Sequence, residues 1–342
     1  MSPNKEDFIK TLWRQKAGHI PLAELGIHPN IKGKIIGRPI ITLKDDVDSW
    51  HLAGYDYIKI QPICDFNPSK TGLDKNLTFK EDGTLSFKWA SENNGVITSF
   101  DDLERYHFPC KSDFDYSKFD SVRELLPEGM GVVGQYGDIF TMTWEMMGFE
   151  TFSFALFENP ELVIQLNNIL GELVYSMFET FIQYDVVDAI WFSDDIAFQQ
   201  GLLVSPDVLE LIFFPWLRKI GKLAKDYNKP LIYHTDGILW NVFDTIIDAG
   251  VTTMHPIEPK AMDIKEVKVK YGDKLSLIGN VDVDLLARGS KEEIKKNVLQ
   301  NIEEAGYNGG YCVGSGNSIP DYVKLENYLT MIETVKDFNK SY

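Results

Sequence analysis

Short apolar runs that end in polar residues alternate along the chain with stretches of helical periodicity. The clearest run, LIYHTDG at residues 231–237, is typical of a buried strand that leads directly into a polar turn. Because side chains alternate along a strand, His234 and Asp236 point to the same side at its carboxyl end. An imidazole and a carboxylate in such a place can bind a metal or transfer protons.

Runs of the same kind predict eight strands, near residues 20, 57, 131, 189, 231, 252, 275 and 310. Helices are predicted after most of them, with start signals at Pro160, at Ser205 and at the capping box of Ser290 and Glu293. Repeated β-then-α units predict a single α/β domain over residues 1–342, a (β/α)8 TIM barrel. A doubly wound open sheet is the alternative, but the early glycine-rich turn of a nucleotide site is missing.

Two additions to the barrel are predicted. An amphipathic helix over residues 4–17 precedes the first strand, and a hairpin around Asp82 and Gly83 lies within residues 77–89. The hairpin belongs to an insertion over about residues 63–126 that follows the second strand and has too few apolar residues for a core of its own.

Composition narrows the class of protein. The chain has 342 residues, of which 44% are hydrophobic, and a formal net charge of −17. Such an acidic surface argues against nucleic-acid and acidic-membrane partners, and no apolar run approaches the ~20 residues that span a bilayer. Three scattered cysteines without a CxxC motif and an N-terminus without an apolar signal region predict a cytoplasmic protein.

The carboxyl ends of the predicted strands carry the candidate site, because barrel enzymes place their sites there. Catalytic candidates are His234, Asp236, Asp194 and Asp195. Substrate-binding candidates are Glu24, Gln61, Gln135, Tyr136, Trp191, Asn280, Ser315 and Asn317. Asp194 and Asp195 are neighbours on a strand, so only one of them faces the barrel. His255 precedes Pro256, and both a role in the turn and a role in the site stay open.

Two chemistries fit the imidazole and carboxylate of the fifth strand. His234 and Asp236 can act as zinc ligands, with further ligands from Glu258, Asp194, Asp195 or Ser315. Alternatively, His234 is held by a carboxylate and works as a metal-free acid or base. Trp191 either lines an apolar substrate pocket or belongs to the core.

Several segments, in this order, resemble the uroporphyrinogen decarboxylase superfamily: GVITSFDDLERYHFP, SDDIAF, HTDG, LIGNVD and GGYCVGSGNSIPDYVKLENYL. The resemblance covers nearly the whole chain and implies a (β/α)8 barrel. The decarboxylases carry an Arg-Gln-Ala-Gly-Arg segment after the first strand, where this chain reads LAELGIHPNIKG with Glu24. They also carry a histidine in the last strand, where this chain has Ser315. Without those counter-charges, a substrate with many carboxylates would bind poorly.

The chain is more similar to the branch related to cobalamin-dependent methyltransferases. There, a His-x-Cys-Gly motif and a later cysteine supply zinc ligands; His234 matches the histidine, while Asp236 and Ser315 replace the cysteines. With these replacements, the resemblance implies either zinc held by harder ligands or a site without metal, and a corrinoid carried by a partner protein.

The resulting hypothesis is a methyltransferase that demethylates a small O-methylated compound, such as a methoxylated aromatic, and passes the methyl group to the corrinoid protein. The alternative is a decarboxylase or other lyase that acts on a small carboxylic acid or a porphyrinogen-like substrate. A homodimer is left open.

Overall fold

The computed structural model describes residues 2–64, 78–79, 85–86 and 95–340. Its strands are, in chain order, β1 Tyr57–Ile60, β2 Thr78–Phe79, β3 Leu85–Ser86, β4 Gly131–Gly137, β5 Val187–Ser193, β6 Ala197–Phe198, β7 Gly201–Leu202, β8 Leu231–His234, β9 Thr253–His255, β10 Ser276–Val281 and β11 Tyr311–Ser315. Seven of them form one parallel sheet in the order β1-β4-β5-β8-β9-β10-β11. This order follows the chain, as in a barrel, whereas a doubly wound sheet would reverse direction once.

The segment that closes the barrel lies between β11 and β1, where the first strand was predicted. Ala23 N donates to Val313 O at 2.9 Å, and Val313 N donates to Pro21 O at 2.9 Å. On the side of β1 the contact runs through a side chain, because the Tyr57 hydroxyl bonds both the N–H and the carbonyl of Glu24 at 3.0 Å. The segment therefore takes the eighth strand position of a (β/α)8 barrel, although among the described strands its backbone pairs with β11 and not with β1.

Helices follow the strands as predicted, with several differences. The helical elements are Lys5–Leu12, Pro29–Ile36, Leu43–Ala53, Phe100–Arg105, Lys111–Asp113, Ser117–Ser121, Val122–Leu125, Ile139–Met147, Phe149–Glu158, Pro160–Phe181, Pro206–Ile212, Phe214–Asp226, Phe243–Asp248, Ile264–Tyr271, Val283–Arg288, Lys291–Ala305 and Leu325–Asn339. The first helix is shorter than predicted and is capped by Asn4. The capping box of Ser290 and Glu293 is present. The helix that begins at Ser205 breaks at Phe213, and Pro215 stands in the first turn of the helix that follows.

Aromatic side chains fill the space between the strands and the outer helices. Phe192 on β5 stacks on Tyr233 of β8 at 5.9 Å between ring centroids, and both rings contact Phe213 at the helix break. Farther out, Trp216 Nε1 donates to Asn167 Oδ1 at 2.9 Å, which satisfies the polar atom of a buried ring. These contacts hold the helical layer against the sheet and leave the inner face of each strand for the barrel interior.

The predicted hairpin is present as the antiparallel pair β2 and β3, in which Phe79 lies opposite Leu85. Its turn at Asp82 and Gly83, and most of the predicted insertion up to residue 94, lie outside the described residues. Within the described ranges, no helix combines the length and the apolar character needed to cross a membrane.

Charged groups at the amino-terminal end of the barrel tie the first helix to the sheet. The ring nitrogens of His19 lie 3.2 Å from Asp7 Oδ2 and 2.9 Å from Asp56 Oδ2. The same residues line a cavity of about 880 Å³ of empty space, open to solvent. Because these groups pair with one another, we assign this end of the molecule a structural role.

Candidate active site

Three side chains meet at the carboxyl ends of β5 and β8. Asp195, His234 and Asp236 each offer a ligand atom within 4.8 Å of the others. His234 is buried, with 4% of its surface exposed, and its Nε2 lies 3.7 Å from Asp195 Oδ1. Burial raises the pKa of Asp195. The pKa of Asp236 rises to about 8, because the carboxyl group is buried and lies near the charges of Asp195 and Glu258.

The turn that follows β8 explains how Asp236 is held. Gly237 has φ +90, and a Cβ atom there would lie 2.3 Å from the backbone nitrogen of Phe198, so only glycine fits. Gly237 N donates to Glu258 Oε2 at 3.0 Å, and Asn317 Nδ2 donates to Asp236 Oδ2 at 2.6 Å. The other oxygen, Asp236 Oδ1, is buried without a hydrogen-bond partner among the described residues.

Asp194 and Asp195 have separate tasks. Both oxygens of Asp194 accept backbone N–H groups at the start of the helix Ile139–Met147, from Phe140 at 2.7 Å and from Thr141 at 2.9 Å. Asp195 instead faces His234 and accepts a hydrogen bond from Asp236 N at 2.9 Å. The candidate that contacts the cluster is therefore Asp195, while Asp194 anchors a helix N-terminus.

His255 on β9 stands directly behind His234, and the Nδ1 atoms of the two rings are 2.7 Å apart. Both rings are buried, and burial lowers the pKa of His234 to about 3 and that of His255 well below its usual value. Trp191, fully buried, packs edge-to-face on His255 with ring centroids 5.0 Å apart. Trp191 thus belongs to the interior beneath the site and does not line an open pocket.

Glu24 and Ser315 form a second buried polar pair. Ser315 N and Oγ donate to the two oxygens of Glu24 at 2.8 and 2.7 Å, and neither residue is exposed. Burial raises the pKa of Glu24 to about 8. Lys59 on β1 donates to the carbonyl of Leu25, and its charge contributes to the lowered pKa of His234. The Ser315 hydroxyl, which stands in place of a cysteine ligand, is therefore hydrogen-bonded to Glu24.

The remaining candidates are spread around the barrel. Gln135 Nε2 donates to Ser193 Oγ at 3.2 Å, and the Tyr136 hydroxyl donates to the carbonyl of Cys64 at 3.3 Å. Asn280 Nδ2 donates to Ile257 O at 2.7 Å. Gln61 is exposed just beyond β1. None of these four joins the cluster of three.

Glu258 also lies outside the cluster that the structure brings together. Its Oε1 accepts from Gln199 Nε2 at 2.6 Å, and its Oε2 is bound by Gly237 N. The third member of the cluster is Asp195, one of the further ligands that the sequence left open beside Glu258. Lys59 was absent from the predicted set, whereas for His255 a role in the site and a role in the turn had both stayed open. The alternation of β1 puts Lys59 on the same side as Tyr57 and Gln61, and this signal could have found it.

An open groove leads to Asp236. It holds about 600 Å³ of empty space, including solvent, and Gln199, Glu258 and Asn317 are among its lining residues. Its rim also carries Asp282 and Asp284, which Lys260 Nζ approaches at 3.7 and 3.8 Å. Among the described lining residues the acidic groups are Asp236, Glu258, Asp282 and Asp284, against one lysine. The groove is acidic.

The cluster fits a divalent cation with nitrogen and oxygen ligands. One imidazole and two carboxylates are ligands that Zn²⁺ and harder divalent metals accept. The unpartnered Asp236 Oδ1 would supply a ligand atom, and a cation would offset the repulsion between two neighbouring, half-buried carboxylates. With Ser315 hydrogen-bonded to Glu24, the residues do not form a thiolate zinc site.

Replacing Asp194 by alanine should mainly affect stability, whereas replacing Asp195 should mainly affect metal binding. Asp194→Ala leaves two helix N–H groups without an acceptor and should lower the free energy of unfolding by about 2–4 kcal/mol. Asp195→Ala leaves one N–H, that of Asp236, without its acceptor but also removes one of two repelling carboxylates, so it should cost much less stability. As the loss of a direct ligand, it should weaken Co²⁺ binding at least about 100-fold. Denaturant unfolding and Co²⁺ titration of both variants measure this. Equal losses of stability would contradict the division of roles.

The fold and the cluster at the strand ends define a (β/α)8 barrel of the enzyme type. The family model described as uroporphyrinogen decarboxylase matches residues 90–338, and the chain belongs to this family. Uroporphyrinogen decarboxylase of Neisseria meningitidis serogroup C is 21% identical over 288 residues, which cover 80% of this chain and 76% of that protein. The enzyme of Pseudoalteromonas translucida is 32% identical over 81 residues, 24% of this chain and 23% of its own length.

A solved structure extends the comparison of folds. A methyltransferase from Methanosarcina mazei superposes with a TM-score of 0.70 at 17% identity and covers 99% of both chains. At this identity the likeness concerns the fold, and it spans the entire barrel.

Proposed function

We propose that the protein is a methyltransferase that takes the methyl group from a small O-methylated compound and passes it to a corrinoid protein. The observation that carries the proposal is the cluster of Asp195, His234 and Asp236 at the barrel mouth. Its oxygen and nitrogen ligands suit the activation of an ether or alcohol oxygen, whereas the activation of a thiol relies on softer, thiolate-rich zinc sites.

The three residues would hold a divalent cation, Zn²⁺ in the first instance. When bound, it supplies a Lewis acid that stabilises negative charge on the departing oxygen. The chain positions the ligands: Asn317 fixes one oxygen of Asp236, and Asp236 N in turn fixes Asp195 Oδ1. The substrate ether would enter through the groove that ends at Asp236.

The charge of the groove supports a small substrate without several carboxylates. Each additional carboxylate on the substrate would meet Glu258, Asp282 and Asp284 at the rim, where Lys260 already pairs with the two aspartates. Like charges at short range disfavour binding. This makes a polycarboxylated porphyrinogen a poor substrate, although relatives of this chain carry the decarboxylase name.

The test is methyl transfer from methoxylated aromatic donors to a corrinoid protein reduced to Co(I), followed by visible absorption and by detection of the demethylated product. The Zn²⁺-supplemented wild-type protein should turn over, and Asp236→Asn should lose at least about 100-fold in rate, since it removes a ligand charge. Asp273→Asn, in an exposed turn before β10, is the matched control and should retain full activity. Failure of every donor with wild type would refute the proposal.

The buried acid of Glu24 favours the alternative of a lyase on a small carboxylic acid. With a pKa of about 8, Glu24 keeps its proton at neutral pH and is able to donate it. A decarboxylase would release CO2 from a small acid without added metal and would lose this activity in Glu24→Gln. Such a result, together with no methyl transfer, would establish the lyase instead.

A further inference from the structure

The contact between His234 and His255 indicates a role for His255 in the site. Their strands are neighbours, and His234 lies opposite His255 in the register of β8 and β9. The Nδ1 atoms are 2.7 Å apart, and the ring centroids 4.9 Å apart with 38° between the planes. A separation this short between two nitrogens requires a hydrogen atom between them.

A neutral imidazole carries one N–H, so the two rings must hold complementary tautomers. In the first arrangement His234 Nδ1–H donates to His255, and His234 Nε2 carries a lone pair. In the second arrangement His255 donates, and His234 Nε2 carries the hydrogen. The tautomer of the pair therefore decides what His234 presents to Asp195 and Asp236.

The surroundings of the two outer nitrogens distinguish the arrangements. His234 Nε2 faces Asp195 Oδ1 at 3.7 Å, too far for a hydrogen bond, so an N–H there would lack an acceptor at normal distance. His255 Nε2 is buried without a hydrogen-bond partner in the described part of the chain, next to the ring of Trp191. A cation beside Asp195 needs the lone pair of His234 Nε2, and only the first arrangement provides it.

We propose that His255 is a positioning residue that accepts the Nδ1–H of His234 and so directs the Nε2 lone pair of His234 at a cation held with Asp195 and Asp236. Histidine ligands of metals generally donate their second N–H to a carboxylate, a carbonyl or water. Here an imidazole takes that place, and it accepts this hydrogen when its own N–H is on Nε2. The inference rests on the proposed metal-assisted function and adds a residue to its site.

The direct test is ¹⁵N NMR of histidine-labelled, metal-free protein, which distinguishes protonated from unprotonated ring nitrogens. His234 should be protonated at Nδ1 and His255 at Nε2. The reverse assignment would overturn the inference without any variant. The NMR result decides the inference even if wild type takes up no cation, in which case the proposed metal-assisted function is what fails.

Co²⁺ titration, followed by the visible spectrum of the bound ion, provides a second readout. His255→Leu removes the acceptor and should weaken Co²⁺ binding about 10–100-fold. His255→Asn keeps an amide oxygen near the position of Nδ1 and should restore affinity to within a few-fold of wild type. Equal affinities of the leucine variant and wild type, with both folded by circular dichroism, would overturn the inference.

Discussion

His234→Ala should lose divalent-cation binding by at least about 100-fold, because loss of a direct ligand exceeds the 10–100-fold that outer partners cost. His234 is the one imidazole in the cluster of three, and its Nε2 lies 3.7 Å from Asp195 Oδ1. Metal content of the purified protein and Co²⁺ titration measure the loss. Methyl transfer should fall with it, since the departing oxygen loses its Lewis acid.

Two further variants control this result. His51→Ala changes a histidine at the opposite end of the barrel, beside the cavity of Asp7 and His19, and should bind Co²⁺ like wild type. His234→Gln keeps a polar side chain of similar size next to His255. It tests whether a loss of metal affinity in His234→Ala comes from a damaged fold. Full metal affinity in folded His234→Ala would refute the ligand assignment.

The wild-type protein should lose stability as pH rises, and Glu24→Gln should not show this loss. The pKa of Glu24 is raised from 4.5 to about 8 by burial, so the folded state holds a proton that the unfolded state has released between these values. Stability therefore falls as pH rises from about 4.5 to 8, by on the order of 5 kcal/mol in total. Glutamine does not titrate and can still bond Ser315.

The measurement is the difference in free energy of unfolding between variant and wild type at pH 5, 7 and 9, with a chelator present. The difference should grow in favour of Glu24→Gln as pH rises and then level off above about pH 8. Glu128→Gln, at an exposed position, should show a constant difference. Parallel curves for wild type and Glu24→Gln would mean that Glu24 does not hold its proton in the folded protein.

Much of the architecture could be predicted because periodicity reports which faces are buried. The runs of β4, β5, β8, β10 and β11 are buried along nearly their whole length, and each gives a clear apolar segment. The first predicted strand is an irregular segment instead. Pro21 has no N–H to donate, so Pro21 itself pairs with Val313 through its carbonyl alone. The helices Ile139–Met147 and Phe149–Glu158 were missed because their sequence is apolar on most sides.

The pattern along single strands predicts only part of the site. Alternation along one strand placed His234 and Asp236 on the same side, and the structure brings their ligand atoms together. Alternation also showed that Asp194 and Asp195 must diverge, but the choice depends on a helix N-terminus more than fifty residues earlier in the chain, at Phe140. The pairing of His234 with His255 and that of Glu24 with Ser315 join separate strands, so each needed the register of the closed barrel.

The most direct measurement is anomalous diffraction from crystals of the protein soaked or grown with Zn²⁺, recorded on both sides of the zinc absorption edge. We expect one strong anomalous peak at the ends of β5 and β8, about 2.0–2.2 Å from His234 Nε2 and from oxygens of Asp195 and Asp236. Its absence from this position in crystals that bind Zn²⁺ elsewhere, or in crystals that bind none, would contradict the central claim that these three residues form a metal site.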